Sequence, residues 1–501
     1  MSDESIQLFR RAEGFADRIA LDTVEARFDY ADLLQRARAV AGVLLDGRAD
    51  LREARVAFIA PPGIDYVAVQ WGVWLAGGVA VPLCLQHPAP ELEYTINDCD
   101  AEIVVAHPDL AQRVEGIARS GQRRLILTSA MNPDGTPVLP ELTVDRRAMM
   151  VYTSGTTGKP KGVVSTWKMI EAQVGSLVQA WQWREDDAIL HLLPLHHLHG
   201  IINVLTCSLW SGARCHMMAK FDATEVWELF VTDDLTLFMA VPTIYSRLTK
   251  AWKEADEPTR QRWSAACSGM RLMVSGSAAL PVPTLNQWRE ISGHTLLERY
   301  GMTEIGMALS NPLHGEREPG KVGAPLPGVE VRLVADDDAI IEGDGTPGEI
   351  QVKGDNVFSE YWRKPEATAE SFTADHWFKT GDTAVRENGT YRILGRNSVD
   401  IIKTGGYKVS ALEIEEVLLT HPAIEEVAVV GVDDPEWGEC VSAAICLAAG
   451  VSLDLESLRS WGKEQLAAYK VPTRMRTVAE LPRNAMGKVT KPEIKQFFAE
   501  G

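Results

Sequence analysis

Hydrophobic and polar positions alternate in two rhythms over the first 130 residues. Leu33, Leu34, Ala37, Val40, Ala41, Val43 and Leu44 recur at helical spacing. Val56-Ala-Phe-Ile-Ala60 then reads as a buried strand. Residues 66–85 are almost wholly apolar, a length that suggests a membrane span. Gln70, Gly72, Gly77, Gly78 and Pro82 interrupt them, however, and the glycine pair splits the stretch into a helix and a strand. Glu102-Ile-Val-Val-Ala106 and Arg124-Leu-Ile-Leu-Thr128 repeat the strand–helix–strand alternation, which predicts a mostly parallel sheet with helices on both faces. Further strands are predicted at Ala188–Pro194, Leu237–Pro242 and Arg271–Ser277, with an apolar helix from Ile201 to Trp210. From Gly320 to Gly395 short strands and Gly/Pro turns predict a distorted β-barrel.

The pattern changes after Gly395-Arg-Asn-Ser398. A helix capped by Ser410, with Glu413 three residues on, precedes strands at 426–432 and 440–448, a helix at 453–468 and a last helix from Pro492. The fold class is therefore an α/β large domain, 1–395, followed by a small α+β domain, 396–501. A chain of 501 residues is too long for one ordinary core, which agrees with two domains.

Composition adds three constraints. Hydrophobic content of 46% and charged content of 24% are those of a soluble globular protein. A net charge of −19 argues against non-specific binding to nucleic acid or anionic membrane. Seven scattered cysteines without a C-x-x-C argue for reduced thiols and no zinc site. The acidic N-terminus carries no visible signal peptide, and the expected location is cytoplasmic, or an organelle matrix in a eukaryote.

The chemistry-bearing stretch is Tyr152-Thr-Ser-Gly-Thr-Thr-Gly-Lys-Pro-Lys-Gly162, directly after apolar Met149-Met-Val151. Glycines allow close backbone approach to an anion, and clustered N–H groups, hydroxyls and lysines suit phosphate oxygens. The nucleotide-hydrolase P-loop fails here: Thr153 stands where its first glycine belongs, and Pro160 follows Lys159 where Ser or Thr is required. The loop Leu195-His-His-Leu-His-Gly200 holds three histidines, but the first two are adjacent rather than one helical turn apart, and no acidic partner is near.

Four further stretches follow in order: Tyr300-Gly-Met-Thr-Glu304, Thr380-Gly-Asp382, Gly395-Arg396 through Gly405-Gly406-Tyr407, and Pro482-Arg-Asn-Ala-Met-Gly-Lys488. Together with the glycine–threonine loop they resemble the adenylate-forming superfamily of acyl-CoA synthetases, peptide-synthetase adenylation domains and luciferases. The resemblance implies ATP, Mg²⁺ and CoA as reaction partners and a small domain that turns about a hinge near Gly395-Arg396. It implies that Thr153, Ser154, Gly155, Thr156, Thr157, Gly158, Lys159, Pro160 and Lys161 hold the ATP phosphates. Gly276, Ser277 and Ala278 would border the adenosine. Tyr300 would stack on the base, Thr303 would bond the α-phosphate, Glu304 would carry Mg²⁺, Asp382 would take the ribose hydroxyls, and Arg396 would lie beside the nucleotide. Lys488 would stabilise the adenylation transition state, and Lys403, Gly405, Gly406, Tyr407 and Trp437 would serve CoA. Trp437 reads equally well as a half-buried packing residue.

Substrate choice turns on Arg299. A guanidinium at the edge of an acyl pocket suits a second carboxylate, and a long fatty acid would leave it unpaired. With His199 and Ser275 beside it in sequence motifs, this resembles the malonyl-CoA synthetase branch. Methylmalonate meets the same argument, pairing of Arg299 with Glu298 or a phosphate is the structural alternative, and a carrier protein's pantetheine is a second possible acceptor. A nucleotide-binding sensor without catalysis is the reading from another class. No membrane span and no nucleic-acid partner is expected.

Overall fold

The computed structural model describes residues 6–24, 26–131, 137–153, 159–405, 407–435, 437–484 and 487–498. Among these residues the chain builds four sheets. A seven-stranded sheet contains Arg55–Ile59, Val79–Pro82, Ile103–Ala106 and Arg124–Leu127 as its parallel part, and Arg147–Thr153 joins it in parallel beside Val79–Pro82. A nine-stranded sheet has Ala188–His191, Arg214–Met217, Leu237–Ala240, Leu272–Ser275 and the start of Leu297–Met302 as its parallel centre.

The apolar run at 66–85 divides at the glycines as its pattern requires. Helix Ile64–Leu75 is buried over Tyr66–Leu75, and strand Val79–Pro82 follows. A helix apolar on every side belongs in a core, and this one packs along Tyr30–Leu45. That second helix starts from a capping box: the Asp29 carboxylate accepts the Asp32 N–H at 2.7 Å. Its core face is Leu33, Leu34, Ala37, Val40, Ala41 and Leu44, the positions the helical spacing marked, while Val43 is only partly buried.

Two predicted elements differ. The stretch 320–395 forms an open five-stranded antiparallel sheet, with Ile340–Ile341 and Thr390–Arg396 at its edges, not a closed barrel. Its two edge strands are not hydrogen-bonded to each other among the described residues; isolated bridges join Gly323 to Tyr391 and Phe372 to Phe378. The apolar helix begins earlier than predicted, as a π-helix over His199–Thr206 that continues as α-helix Cys207–Trp210. The Thr206 hydroxyl donates to the Ile201 carbonyl five residues back, at 2.7 Å, which fits the wide turn.

The C-terminal part has separate cores. One gathers Ile402, Val409, Ile414, Leu418, Val429, Val441 and Leu458 with their neighbours, and another gathers Val430, Leu481, Ile494 and Phe498. Neither includes a residue from before Arg396. Five strands make its sheet, with Ile424–Asp434 against Gly438–Leu447 as the long pair.

Candidate active site

Two neighbouring strands of the nine-stranded sheet, with the start of the π-helix, deliver the first group of residues. Val274 is in register with Leu297 and Ser275 with Glu298, so Gly276 and Arg299 lie together just past the carboxyl end of the parallel pair. Open α/β sheets bind ligands at such ends. Gly276 has no side chain to obstruct Arg299: a Cβ there would stand 2.4 Å from both Cζ and Nε of the guanidinium. Ser277 follows with φ of 68°, a left-handed value that a serine adopts only under constraint. Its hydroxyl lies 3.0 Å from His199 Nδ1 and accepts a long contact, 3.4 Å, from Arg299 Nη2.

Arg299 is 5% exposed and forms no ion pair among the described residues. Its Nε, His199 Nε2 and the Ser275 hydroxyl are all buried without hydrogen-bond partners in the described structure. Burial pushes the pKa of Arg299 down, yet a guanidinium stays charged in proteins, so the strain of an unpaired buried cation resides in the free enzyme. Of the structural alternatives for Arg299, pairing with Glu298 fails on strand geometry. Glu298 is its neighbour on an extended strand and points the other way, where its Oε1 accepts the Gly320 N–H at 3.0 Å.

Glu298 itself is raised to about 8, by burial first and by the nearby Glu416 charge. An unfolded glutamate titrates near ~4.3. Between these values the native state binds more protons than the unfolded chain, so stability falls as pH rises through that window. Glu298→Gln should therefore match the wild type in Tm at pH 5 and exceed it by a few degrees at pH 8.5. Thermal melts at the two pH values check this.

A second group forms the nucleotide side. Asp382 and Arg396 face each other across paired antiparallel strands. Asp382 Oδ1 accepts Arg396 Nε at 2.9 Å, and Oδ2 accepts the Tyr300 hydroxyl at 2.6 Å. Thr303 and Glu304 occupy the turn between Leu297–Met302 and Gly306–Ser310. Glu304 is buried, and its Oε1 accepts the Tyr361 hydroxyl at 2.9 Å. Burial raises its pKa against the opposing pull of that hydrogen bond and of Arg396 and Lys161.

Thr153 pairs with Lys161 across Arg147–Thr153 and Lys161–Thr166, so these strands bracket the glycine–threonine loop. Ser154, Gly155, Thr156, Thr157 and Gly158 lie outside the described residues, as does Gly406. The Lys161 ammonium sits 4.5 Å from the Tyr361 ring centre and Lys159 5.4 Å from that of Tyr94, whose hydroxyl donates to the Pro160 carbonyl at 2.8 Å. Ala278 is exposed. Tyr361 and Tyr94 were not singled out by the sequence, since neither lies in a motif; only the chain's return to the edge of the seven-stranded sheet brings Tyr361 here.

Lys488 comes from the C-terminal part. Its loop is closed by Asn484, whose N–H donates to the Lys488 carbonyl at 2.9 Å and whose Oδ1 accepts the Lys488 N–H at 3.0 Å. The side chain is open to water yet walled by protein, as in a cleft, and its pKa is lowered by that burial, then by Arg299 and Arg396, with Asp382 opposing. His197 and His199 are lowered by burial and feel Lys488 as well, so both are neutral near pH 7 and add no charge. Cations from two lobes thus converge on one place in a strongly acidic protein.

The remaining residues gather elsewhere. The Lys403 N–H donates to Glu439 Oε2 at 2.8 Å. Gly405, at φ of 55°, lies flat against Trp437: a Cβ there would be 2.9 Å from Cε3. Trp437 is 51% exposed, with one part of its ring against Gly405 and the rest open to solvent. Tyr407 stacks on Tyr469 with ring centres 4.4 Å apart, and Lys408 pairs with Asp336 of the five-stranded sheet's first turn. Asp22, His216 and Asp233 also cluster, but Arg214 bridges both aspartates at 3.0 and 2.7 Å, which makes an ion-pair knot.

Comparison with known proteins follows this geometry. The model of the AMP-binding enzyme family matches residues 8–362, and that of the AMP-binding enzyme C-terminal domain matches 413–488. The chain is 48% identical to mitochondrial malonate–CoA ligase ACSF3 of Mus musculus, over all of this chain and 92% of the relative. The ATP-bound crystal structure of MatB from Rhodopseudomonas palustris overlays with a TM-score of 0.91 at 32% identity, covering 99% of each chain. A malonyl-CoA ligase in ternary product complex with methylmalonyl-CoA and AMP overlays at 0.68 and 36% identity, covering 94% and 97%.

Proposed function

We propose, from the premise that the chain belongs to the AMP-binding enzyme family, that it is an ATP-dependent malonate–CoA ligase. The observation that carries the substrate is Arg299: a buried guanidinium that meets no carboxylate among the described residues, beside two more polar groups without partners there, suits the far carboxylate of a short diacid. A carboxylate cannot accept a thiol directly, because oxide would have to leave. In the first step a malonate oxygen attacks the α-phosphorus of ATP, the bond to the pyrophosphate oxygen breaks, and malonyl-adenylate and pyrophosphate result. In the second, the sulfur of CoA attacks the acyl carbon, the thiol proton is lost, and AMP leaves.

This chain's residues divide the work. Arg299, His199 and Ser275 orient the diacid. Asp382, Arg396 and Tyr300 hold the nucleoside, and Thr153 with Lys159, Lys161 and the loop between them holds the phosphates. Thr303 faces the α-phosphate. Lys488 meets the negative charge that builds as two anions are pressed together, which is where a fixed cation is worth most. Glu304 fits Mg²⁺: it is a buried oxygen donor whose charged form is disfavoured by burial, which the Tyr361 hydroxyl and the nearby Arg396 and Lys161 oppose, and a cation would favour that form further. Mg²⁺ held there would offset phosphate charge.

The arrangement of the two parts suits adenylation. The product-bound relative is the more identical of the two structures yet overlays less well, which supports a different lobe orientation there. In the second step the Lys403–Lys408 loop, with Gly405, Gly406, Tyr407 and Trp437, would approach and serve CoA. The division after residue 395 is part of this reading. The reading also keeps a reducing interior compartment, cytosol or organelle matrix, in keeping with seven free buried cysteines; among the described residues no helix is long and apolar enough to cross a membrane.

An acid panel with ATP and CoA tests the proposal. Malonate should give the highest kcat/KM, methylmalonate should follow, and octanoate or acetate should fall at least 100-fold below. Comparable rates for octanoate would remove the substrate assignment. Running the panel with a carrier protein in place of CoA decides the acceptor.

A further inference from the structure

Lys491 opens the last described helix, Lys491–Gln496, three residues beyond Lys488. Its side chain is 8% exposed, an unusual place for a lysine. The ammonium lies 2.6 Å from Asp400 Oδ1 and 2.8 Å from Glu415 Oε1. Each carboxylate has a second task. Asp400 Oδ2 accepts the Arg396 N–H at 3.0 Å, and the Asp400 N–H donates to the Arg396 carbonyl at 2.7 Å. Glu415 Oε1 accepts the Val429 N–H at 2.7 Å, tying helix Ala411–Leu418 to strand Ile424–Asp434. Arg396 in turn grips Asp382.

A continuous path therefore runs from Tyr300 and Asp382, through Arg396 and Asp400, to Lys491 and the loop that carries Lys488. Lys491 is the cation of this path held by two carboxylates at once. The loop's other bonds are local or run to the sheet of the small part: Asn484 closes on Lys488, the Thr490 N–H donates to the Pro482 carbonyl at 2.9 Å, and Arg483 pairs with Glu426 of strand Ile424–Asp434 at 2.7 Å. They shape the loop without fixing its distance from the nucleotide side.

We propose that Lys491 is a positioning residue for the adenylation step, tying the Lys488 loop to the Arg396–Asp400 segment so that Lys488 and the nucleoside-holding residues are set at one distance. The inference rests on the ligase reading above. It assigns Lys491 no contact with substrate. Rotation of the small part would carry the ion-paired group as one body, and thioester formation, which does not use Lys488, should be indifferent to it.

The test uses the full chain, with Lys491→Met, Lys491→Arg and the double variant Lys491→Met/Glu415→Gln. The double variant removes one of the two carboxylates that the single change leaves buried together, and so guards against simple unfolding. Two half-reactions are read: acid-dependent pyrophosphate exchange, and thioester formation from supplied acyl-adenylate. The double variant should lose roughly 10- to 100-fold in kcat for exchange with the KM for ATP within about 3-fold, and keep thioester formation within about 3-fold. Lys491→Arg should recover most of the exchange rate. Equal loss in both half-reactions, or full exchange in the double variant, would overturn the proposal. The exchange is run with whichever acid the wild type accepts in the panel, so a wrong acid shows in the wild type and leaves this comparison intact.

Discussion

Arg299→Met should lower kcat/KM for malonate by about 30- to 1,000-fold while leaving the KM for ATP within a few-fold. Removing one member of a buried charge pair costs about 2–4 kcal/mol, and each 1.36 kcal/mol is tenfold in rate. The pair forms only when the diacid is present, because no carboxylate among the described residues faces Arg299. The same observation predicts the sign of a second readout. A buried cation without a counter-ion destabilises the free protein, so the methionine variant should melt no lower than the wild type. Steady-state kinetics over both substrates, with thermal melts, checks the two together. A parallel fall in ATP affinity or a sharp drop in Tm would mark Arg299 as structural. Arg299→Lys should recover only part of the loss, since a point charge cannot fork onto two oxygens.

Lys488→Ala should abolish most of the first step and spare the second. Loss of one preorganised donor to a developing charge costs about 10²–10³-fold. Malonate-dependent pyrophosphate exchange should fall by that factor, and conversion of supplied malonyl-adenylate to thioester should stay within a few-fold. The wild type should also show a basic limb in its exchange rate. Burial, Arg299 and Arg396 lower the Lys488 pKa, so its charge is lost at a pH below the ordinary lysine value of ~10.4. The rate falls as pH rises through that limb, and the alanine variant should lack it. A pH profile of the exchange reaction for both proteins measures this.

Much of the scaffold was legible because local pattern and burial agreed. The apolar strands at Val56–Ala60, Leu237–Pro242 and Arg271–Ser277 are real, within a residue or two at their ends. The Gly77-Gly78 break and the Ser410 cap, whose hydroxyl accepts the Glu413 N–H at 3.1 Å, are local signals and were sufficient. Sheet order was not legible. Ile19–Asp22 joins the nine-stranded sheet beside Arg214–Met217, nearly two hundred residues on, and no short-range pattern encodes that pairing. Whether the sheet of residues 320–395 closes was not legible for the same reason, since closure depends on which edges meet. In the site, Tyr300, Glu304, Asp382 and Arg396 stood out by motif and the fold brings Tyr300, Asp382 and Arg396 into direct contact. Tyr361 and Lys491 did not stand out: a tyrosine and a lysine outside any motif take their meaning only from what the fold lays beside them.

The opposite orientations of Glu298 and Arg299 have an evolutionary corollary. Successive residues on that strand serve as a charge sorter, with the acid directed to the Gly320 turn and the base to Gly276 and Ser277. Inserting or deleting one residue ahead of them would turn Arg299 to the opposite face of the strand, away from Ser277. Strand parity thus fixes which face carries the cation, something that residue identity at the two positions alone does not secure.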